Sequence, residues 1–350
     1  MDGRRFILVY EPEQACRRRL LEQGFDERHA GEVASYLAQS TDIVPELPAL
    51  AAACAERGIR FEPVELDHAQ PLLAGADPTS TLVWTMTDGI AYFRGGAVPA
   101  MARLAGLRTF GADDSLFALC QDKFRSGAVL RALGLPVPPA GLARNGRWLA
   151  HPVLSSQGWF VKPNRLGAKI GIWPGSHCPS LMEARALSRR IHEAYRDDAV
   201  VQPYVAGRNL RASFLAVDPD AGAEAIGVYQ VDSGGDFQTM AESIALHGET
   251  GVAARTRGEG ANPALEPVGP SQPGIDAAIR AIAARLMEAL GLRDVFSLDL
   301  RVEENGTIHL LEFEVCPGLP CFDFRAYCRD RWGMELAEAM AEAAARRLRR

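Results

Sequence analysis

The sequence predicts an α/β chain whose C-terminal part shifts to α+β organisation, and three observations carry that prediction. Compact apolar runs alternate with helical periodicity through the N-terminal third, a Gly- and Lys-bearing loop follows a short strand near the middle, and an acidic hairpin lies between two amphipathic helices near the end. Alternating strands and helices imply a parallel sheet covered by helices.

The elements follow in order. Arg5–Tyr10 (RFILVY) is an apolar run suited to a buried strand. A helical stretch around Glu32–Gln39 and a second at Leu47–Arg57, stopped by Gly58, precede strands at Ile59–Leu66 and Thr81–Met86. No G-x-G-x-x-G fingerprint accompanies this βαβ rhythm, so the first domain is Rossmann-like in topology only. Pro99–Leu104 and Ser115–Leu133 read as helices, the second ended by Gly134 and the prolines after it. Phe160–Pro163 is a strand entering the Gly-rich loop; Ser180–Tyr195 is helical; Ala199–Tyr204 and Leu210–Val217 are strands. Residues 233–272 are polar with little periodicity, and 233–260 read as a lid. Ile275–Leu290 is an amphipathic helix. Phe296–Val302 and Thr307–Phe313 form a hairpin around Glu304-Asn305-Gly306. Helix Met334–Arg350 closes the chain with its cations at the C-terminal end, where the macrodipole favours them.

Composition bounds the function. The 350 residues, 47% hydrophobic and 23% charged, describe a folded chain too long for a single core, so two or three domains are expected. A net charge of −6 argues against the basic face of a nucleic-acid-binding protein. No apolar run is long enough to cross a membrane, and Glu11 and Glu13 interrupt the short apolar start, so neither a span nor a leader is expected. The 7 cysteines include no C-x-x-C pair, and Cys316, Cys321 and Cys328 lack zinc-site spacing, which points to a reduced, cytoplasmic protein. Of 38 basic residues, only Lys123, Lys162 and Lys169 are lysines. Where arginine is the default cation, as GC-rich coding favours, lysine survives where a compact point charge is needed.

Two motifs carry chemistry. Asp299 lies on one hairpin strand, and Glu312 and Glu314, two apart on the partner, share one face. Three converging carboxylates repel one another unless cations are present, and a divalent ion with oxygen ligands resolves that repulsion. The second is FVKPNRLGAKIG, Phe160–Gly171, in which glycines open backbone N–H groups to an anion and lysines add charge, without Walker-A spacing. A third segment, Gln121-Asp122-Lys123-Phe124, lies inside the predicted helix and by itself reads as a solvated surface.

Together and in this order, these segments resemble the ATP-grasp superfamily, and within it the D-alanine–D-alanine ligase-like branch. The resemblance runs from about Trp84 to about Asp323, through VKPNRLGAKIG, VVQPYVAGRNL and FSLDLRVEENGTIHLLEFEVCPGLP, the last ending in E-x-N-x-x-P-G as Glu312-Phe-Glu314-Val-Cys-Pro317-Gly318. It implies an ATP-grasp fold: a Rossmann-like domain over 1–112, a small subdomain with the phosphate loop over 113–198, and a C-terminal subdomain with metal site and lid over 199–350. It implies that Lys123 and Lys162 bind ATP phosphates, that Gly167, Ala168, Lys169 and Gly171 form the phosphate loop, and that Gln202, Tyr204 and Val205 line the adenine pocket with Asn209 near the ribose. Asp299, Glu312 and Glu314 would hold Mg²⁺, as one or two ions, with Mn²⁺ able to substitute. The implied reaction activates a small-molecule carboxylate as an acyl phosphate and joins it to an amine or amino acid, releasing ADP and phosphate. The implied assembly is a homodimer, with no nucleic-acid or membrane partner.

Departures from the family pattern bear on substrates. Gly167-Ala168-Lys169 stands where these ligases carry Gly-Ser-Ser, so Lys169 replaces a hydroxyl. Ser297 stands where an arginine usually precedes the metal aspartate, and Glu314 replaces the metal asparagine. Arg211, Arg255, Arg257, Arg301 and Arg325 are candidates for the missing arginine; Arg301, on the metal strand and on the face of Asp299, is favoured. With Ser297, the second-substrate region includes Gly318 and Asp323, whose charge would repel a carboxylate and attract an amine or guanidinium. D-Alanyl-D-alanine is therefore not the expected product. The alternatives are a carbonyl- or enol-activating relative that installs an amino acid as an imine, mycosporine-type, and a non-catalytic nucleotide-binding module.

Overall fold

The computed structural model describes residues 3–40, 43–87, 94–232, 236–247 and 264–350. Three sheets organise them. The first holds β1 (Arg5–Tyr10), β2 (Arg60–Glu65), β3 (Thr81–Thr85) and β4 (Arg108–Phe110), all parallel, in the order β2-β1-β3-β4. Central β1 and β3 are buried along almost their whole length, as strands covered on both faces must be. One covering layer comes from the far end of the chain. Helix Leu336–Arg349 lays Ala339, Ala343 and Ala344 in the same core as Phe6, Leu8 and Trp84, and its small side chains permit close approach. Arg57, at the C-cap of helix Leu47–Glu56, fixes it through Glu342 at 2.9 Å.

The second sheet is antiparallel: β5 (Gly141–Arg144), β6 (Arg147–Ala150), β7 (Trp159–Pro163), β8 (His177–Cys178) and β9 (Ala199–Pro203), ordered β6-β5-β9-β7-β8. Helix Leu181–Tyr195, capped by the Ser180 side chain, packs Ala184 and Ile191 on its core. The third sheet comprises β10 (Arg208–Leu215), β11 (Gly227–Asp232), β12 (Ala264–Pro267), β13 (Val295–Val302) and β14 (Ile308–Glu314), ordered β12-β11-β10-β13-β14 and antiparallel. Helix Pro273–Leu290 covers it with Ile279, Ile282, Ala283 and Leu286, a three-and-four spacing that makes one buried stripe. Each large aliphatic side chain so buried contributes about 1.5–3 kcal/mol.

The α/β-to-α+β prediction holds, with several local differences. The helix expected over Ser115–Leu133 is two, Asp114–Gln121 and Lys123–Ala132, because Asp122 is extended (φ −101°, ψ 96°) and caps the second by accepting from the Arg125 N–H. Lys123 is therefore the first residue of a helix and not a point on its outer face. A helix at Glu13–Glu22, the hairpin β5–β6 and strand β11 were not expected from the pattern. The polar segment 233–272 contains helix Met240–His247 and strand β12. Of the expected lid, residues 233–235 and 248–260 lie outside the described residues, as do Arg255 and Arg257. No described helix is long and apolar enough to cross a membrane.

Candidate functional site

The second and third sheets face each other across a cavity of about 280 Å³. Its walls include Lys123, Lys162, Gly167, Ala168, Lys169, Gln202, Tyr204, Val205, Asn209, Asp299, Arg301, Glu312, Glu314, Gly318 and Asp323. Two of the site residues expected from sequence, Gly171 and Ser297, are not in its lining. Gly171 sits behind the loop at φ +72°, where a Cβ would come within 2.5 Å of Pro163 Cγ, so only glycine fits there without displacing the loop from the strand. Ser297 is fully buried under Arg211 and Glu314, its hydroxyl 3.2 Å from each.

Lys162 comes from β7, and Lys123 reaches it from the neighbouring helix terminus. That terminus is docked on the chain leaving β7: the Lys123 N–H donates to Asn164 O and the Phe124 N–H to Asn164 Oδ1. Lys123 Nζ donates to Leu166 O at 2.8 Å and lies 3.3 Å from Glu312 Oε2, with Lys162 Nζ 3.5 Å from the same oxygen. Burial opposes charge on all three groups, and the outcome differs for each. At Lys162 burial wins, aided by repulsion from Lys123, and the pKa falls. At Lys123 the attraction of Glu312 and Glu314 outweighs burial, and the pKa rises. Glu312, held by Lys123, Lys162 and Lys169 against burial, lies well below the ordinary carboxylate range.

The hairpin delivers the carboxylates as the alternation predicted. Asp299 pairs with Glu312 and Ser297 with Glu314 across β13 and β14, and a bulge after Asp299 displaces the register beyond. Oxygens of Asp299, Glu312 and Glu314 lie within 4.8 Å of one another, close enough to share one ion. Burial, with Asp299 and Glu312 beside it, raises the pKa of Glu314 in spite of Arg211. A partly exposed set of hard oxygen donors carrying this much mutual repulsion fits a magnesium-type cation.

Arg301 departs from its expected place among the carboxylates. Its Nη2 donates to Gly207 O at 2.7 Å, to Asp236 O at 2.9 Å and to Asp236 Oδ1 at 2.7 Å, and its guanidinium lies 5.5 Å over the Tyr204 ring. Among the described residues no ion pair joins it to Asp299. It fastens the segment that begins at Asp236, which Tyr204 also contacts through its hydroxyl, over the end of the cavity where Phe237 meets Phe160 edge-on at 5.1 Å. His177 stacks on Tyr204 at 3.8 Å, so it shapes that wall as a structural group. Arg211 occupies the position expected of Arg301. It stands opposite Asp299 on β10 and contacts Asp299 (3.4 Å), Glu314 (3.2 Å) and Asp323 (2.7 Å). Period-two reading of Asn209-Leu210-Arg211 could have placed it, since Asn209 and Arg211 share the cavity face. The pairing of β10 with β13, which sets it beside Asp299, has no local signal. Asp323, expected to be a free charge, is buried and satisfied by Arg211 and the Ser213 hydroxyl.

The phosphate-loop candidate is strained. Ala168 (φ 42°) and Lys169 (φ 67°) both occupy the left-handed region, which costs about 1 kcal/mol or more per non-glycine residue. Hydrogen bonds from the Ile170 N–H to Gly167 O and from the Ile172 N–H to Lys169 O hold the turn. Asp197 anchors its root, accepting from the N–H groups of Arg165 (2.7 Å) and Asp198 (2.9 Å). Burial raises the Asp197 carboxyl from 3.8 to about 6 despite those donors and Arg165. The folded chain therefore holds this proton more tightly than the unfolded chain. The associated stability is full below about pH 4, is lost as pH rises to about 6, and is constant above that. Asp197→Asn is expected to remove this slope, as read from melting temperatures across that window.

No protein-family profile matches the chain. The chain is 26% identical over 254 residues to a putative D-alanine–D-lactate ligase of Streptomyces coelicolor, covering 70% of this chain and 66% of the relative. It is 25% identical over 258 residues to a D-alanine–D-alanine ligase of Treponema pallidum, covering 71% and 59%. The matches thus span less than two thirds of the length of these two curated relatives. Among solved structures, D-alanyl-alanine synthetase A from Vibrio cholerae superposes with a TM-score of 0.63 at 17% identity over 100% of both chains. D-cycloserine synthetase DcsG superposes at 0.56 with 18% identity, over 98% of this chain and 99% of that one. The three-sheet architecture is the ATP-grasp fold of these ligase structures. In sequence the chain is similar to curated D-alanine–D-alanine and D-alanine–D-lactate ligases, in line with the resemblance its motifs carry.

Proposed function

We propose that this protein is an ATP-dependent carboxylate–amine ligase acting on small molecules. The observation that carries the reading is the cavity in which buried Lys162 and half-buried Lys123, a strained Gly-Ala-Lys turn and three converging carboxylates face one another. Lys123 and Lys162 bind the phosphates of ATP, the turn from Gly167 to Gly171 covers them, and Gln202, Tyr204 and Val205 receive the adenine with Asn209 toward the ribose. Asp299, Glu312 and Glu314 hold Mg²⁺, which when bound neutralises phosphate charge and orients the phosphates for in-line transfer. A carboxylate oxygen of the acid attacks the γ-phosphorus, its bond to the bridging oxygen breaks, and ADP leaves. The amine nitrogen then attacks the acyl carbon; the C–N bond forms, the C–O bond to phosphate breaks, and phosphate departs, taking up the proton that the nitrogen loses. The lysines counter charge on the transferring group, and the wall fastened by Arg301 keeps water from the acyl phosphate.

Paired acids and amines, screened by coupled ADP release, test the reading. ADP and phosphate release that requires both partners is the expected result. AMP formation, or nucleotide binding with no substrate-dependent release, contradicts it.

A further inference from the structure

The cavity has two cationic poles, and the proposed function uses only one of them. Lys123 and Lys162 lie on the Glu312 side of the carboxylates; Arg211 lies on the other, touching Asp299 and Glu314. The way Arg211 is held distinguishes it from an ordinary counter-ion. Its Nε faces Asp323 Oδ2 at 2.7 Å, and Asp323 is itself fixed by the Ser213 hydroxyl at 3.1 Å and almost fully buried. This leaves the two Nη groups as the end directed at Asp299, Ser297 and Glu314, along the cavity wall.

Sequence and register explain how it comes to be there. Ser213 and Ser297 are cross-strand partners, both fully buried. Two small side chains side by side leave space over β13 that the long arginine of the preceding cross-strand pair, Arg211 and Asp299, spreads across. A large residue at 297 would fill that space. Charge gives the second half of the argument. Asp299, Glu314 and Asp323 carry three negative charges and Arg211 one positive charge, a surplus that a divalent ion at the candidate metal centre cancels. Asp299 and Glu314 then have a second cation to share, Asp323 remains the private partner of Arg211, and the Nη fork is open to one further anion. A guanidinium fork matches a carboxylate with two parallel hydrogen bonds.

We propose that Arg211 is the residue that binds the carboxylate of the acid substrate, with Asp323 as the positioning residue that aims it. The assignment rests on the ligase reading and deepens it: the substrate of the first step is an ionised carboxylic acid, not a neutral carbonyl compound. The charge of Asp323, which on sequence grounds would recruit a basic substrate, is spent within the chain on Arg211.

The test separates this assignment from the reading beneath it. Wild-type protein is supplied with ATP, Mg²⁺, hydroxylamine as the amine, and a panel of D- and L-α-amino acids, and hydroxamate is measured. Hydroxamate from any acid supports carboxylate activation; none from the whole panel counts against the ligase reading itself. Arg211→Lys and the paired Arg211→Met/Asp323→Asn variant, which removes both members of the 2.7 Å ion pair and so does not leave Asp323 buried without its partner, are then compared with wild type on the best acid. A rise in the acid KM of about tenfold or more in the paired variant, a smaller rise in Arg211→Lys, and an ATP KM within about twofold are expected. An unchanged acid KM, or an ATP KM that rises in parallel, overturns the role of Arg211 while the ligase reading stands. Mn²⁺ binding in the presence of ADP, followed by electron paramagnetic resonance, gives a readout apart from turnover. The paired variant is expected to bind Mn²⁺ as tightly as wild type or more tightly, since a competing cation is gone. Weaker binding shows that Arg211 scaffolds the metal carboxylates and overturns the proposal.

Discussion

Replacing Lys162 with alanine is expected to lower substrate-dependent ADP release by about a thousandfold while leaving the melting temperature close to that of the parent. The two halves of this expectation share one cause. Lys162 is 8% exposed, and burial lowers its pKa, with Lys123 repelling it in addition. A cation held against desolvation is kept at a cost to folding, so its removal relieves the fold instead of harming it. Glu312 is not orphaned, because Lys123 remains 3.3 Å from the same oxygen. What disappears is one of two point charges facing the position proposed for the transferring phosphoryl group. Lys162→Arg is expected to restore little, since a planar guanidinium does not fit between Lys123 and Glu312 as a compact ammonium does. A coupled ADP assay and a thermal melt on the same preparations decide the matter. Retained ADP release would remove Lys162 from the phosphate site.

The reach of the sequence can be judged from particular residues. Asp299, Glu312 and Glu314 were legible because a hairpin is local: a turn signal fixes the two strands, and alternation fixes the face. Lys162 and the loop to Gly171 were legible for the same reason, a strand running into glycines. Lys123 was singled out by residue type alone, and its local context was misread as helix interior, because the break at Asp122 depends on a cap that competes with good helix formers on both sides. Arg211 and Arg301 show where local reading ends. Both have the right parity on their strands, yet Arg211 and its partner Asp299 are 88 positions apart in sequence, and the segment that captures Arg301 at Asp236 is fixed by tertiary contact. Asp323 was read as free charge for the same reason. Sequence gives a residue's charge, and only the assembled sheet shows which neighbour neutralises it.

Glu312→Ala is expected to weaken Mn²⁺ binding by about a hundredfold or more and also to destabilise the fold, in contrast to the lysine variant. Glu312 is the one carboxylate claimed from both sides: it belongs to the candidate metal set and is the shared partner of Lys123 and Lys162. Deleting it removes a candidate metal ligand and leaves the buried Lys162 and half-buried Lys123 ammonium groups without their common counter-charge. Breaking a buried pair by removing one partner costs about 3 kcal/mol or more. The pH dependence gives the sign. The lysines hold the Glu312 pKa well below its ordinary 4.5, so its contribution to stability is complete above that value and fades as pH falls through the folded-state pKa. The parent should therefore lose this increment on acidification, whereas the variant, lacking it at every pH, should show a melting temperature that differs most from the parent near neutrality and converges on it in acid. Calorimetric Mn²⁺ titration with ADP present, together with melts from neutral to acidic pH, measures both effects. Undiminished Mn²⁺ affinity would take Glu312 out of the metal set. Parallel melting curves with no convergence would show that the lysines do not act through its charge.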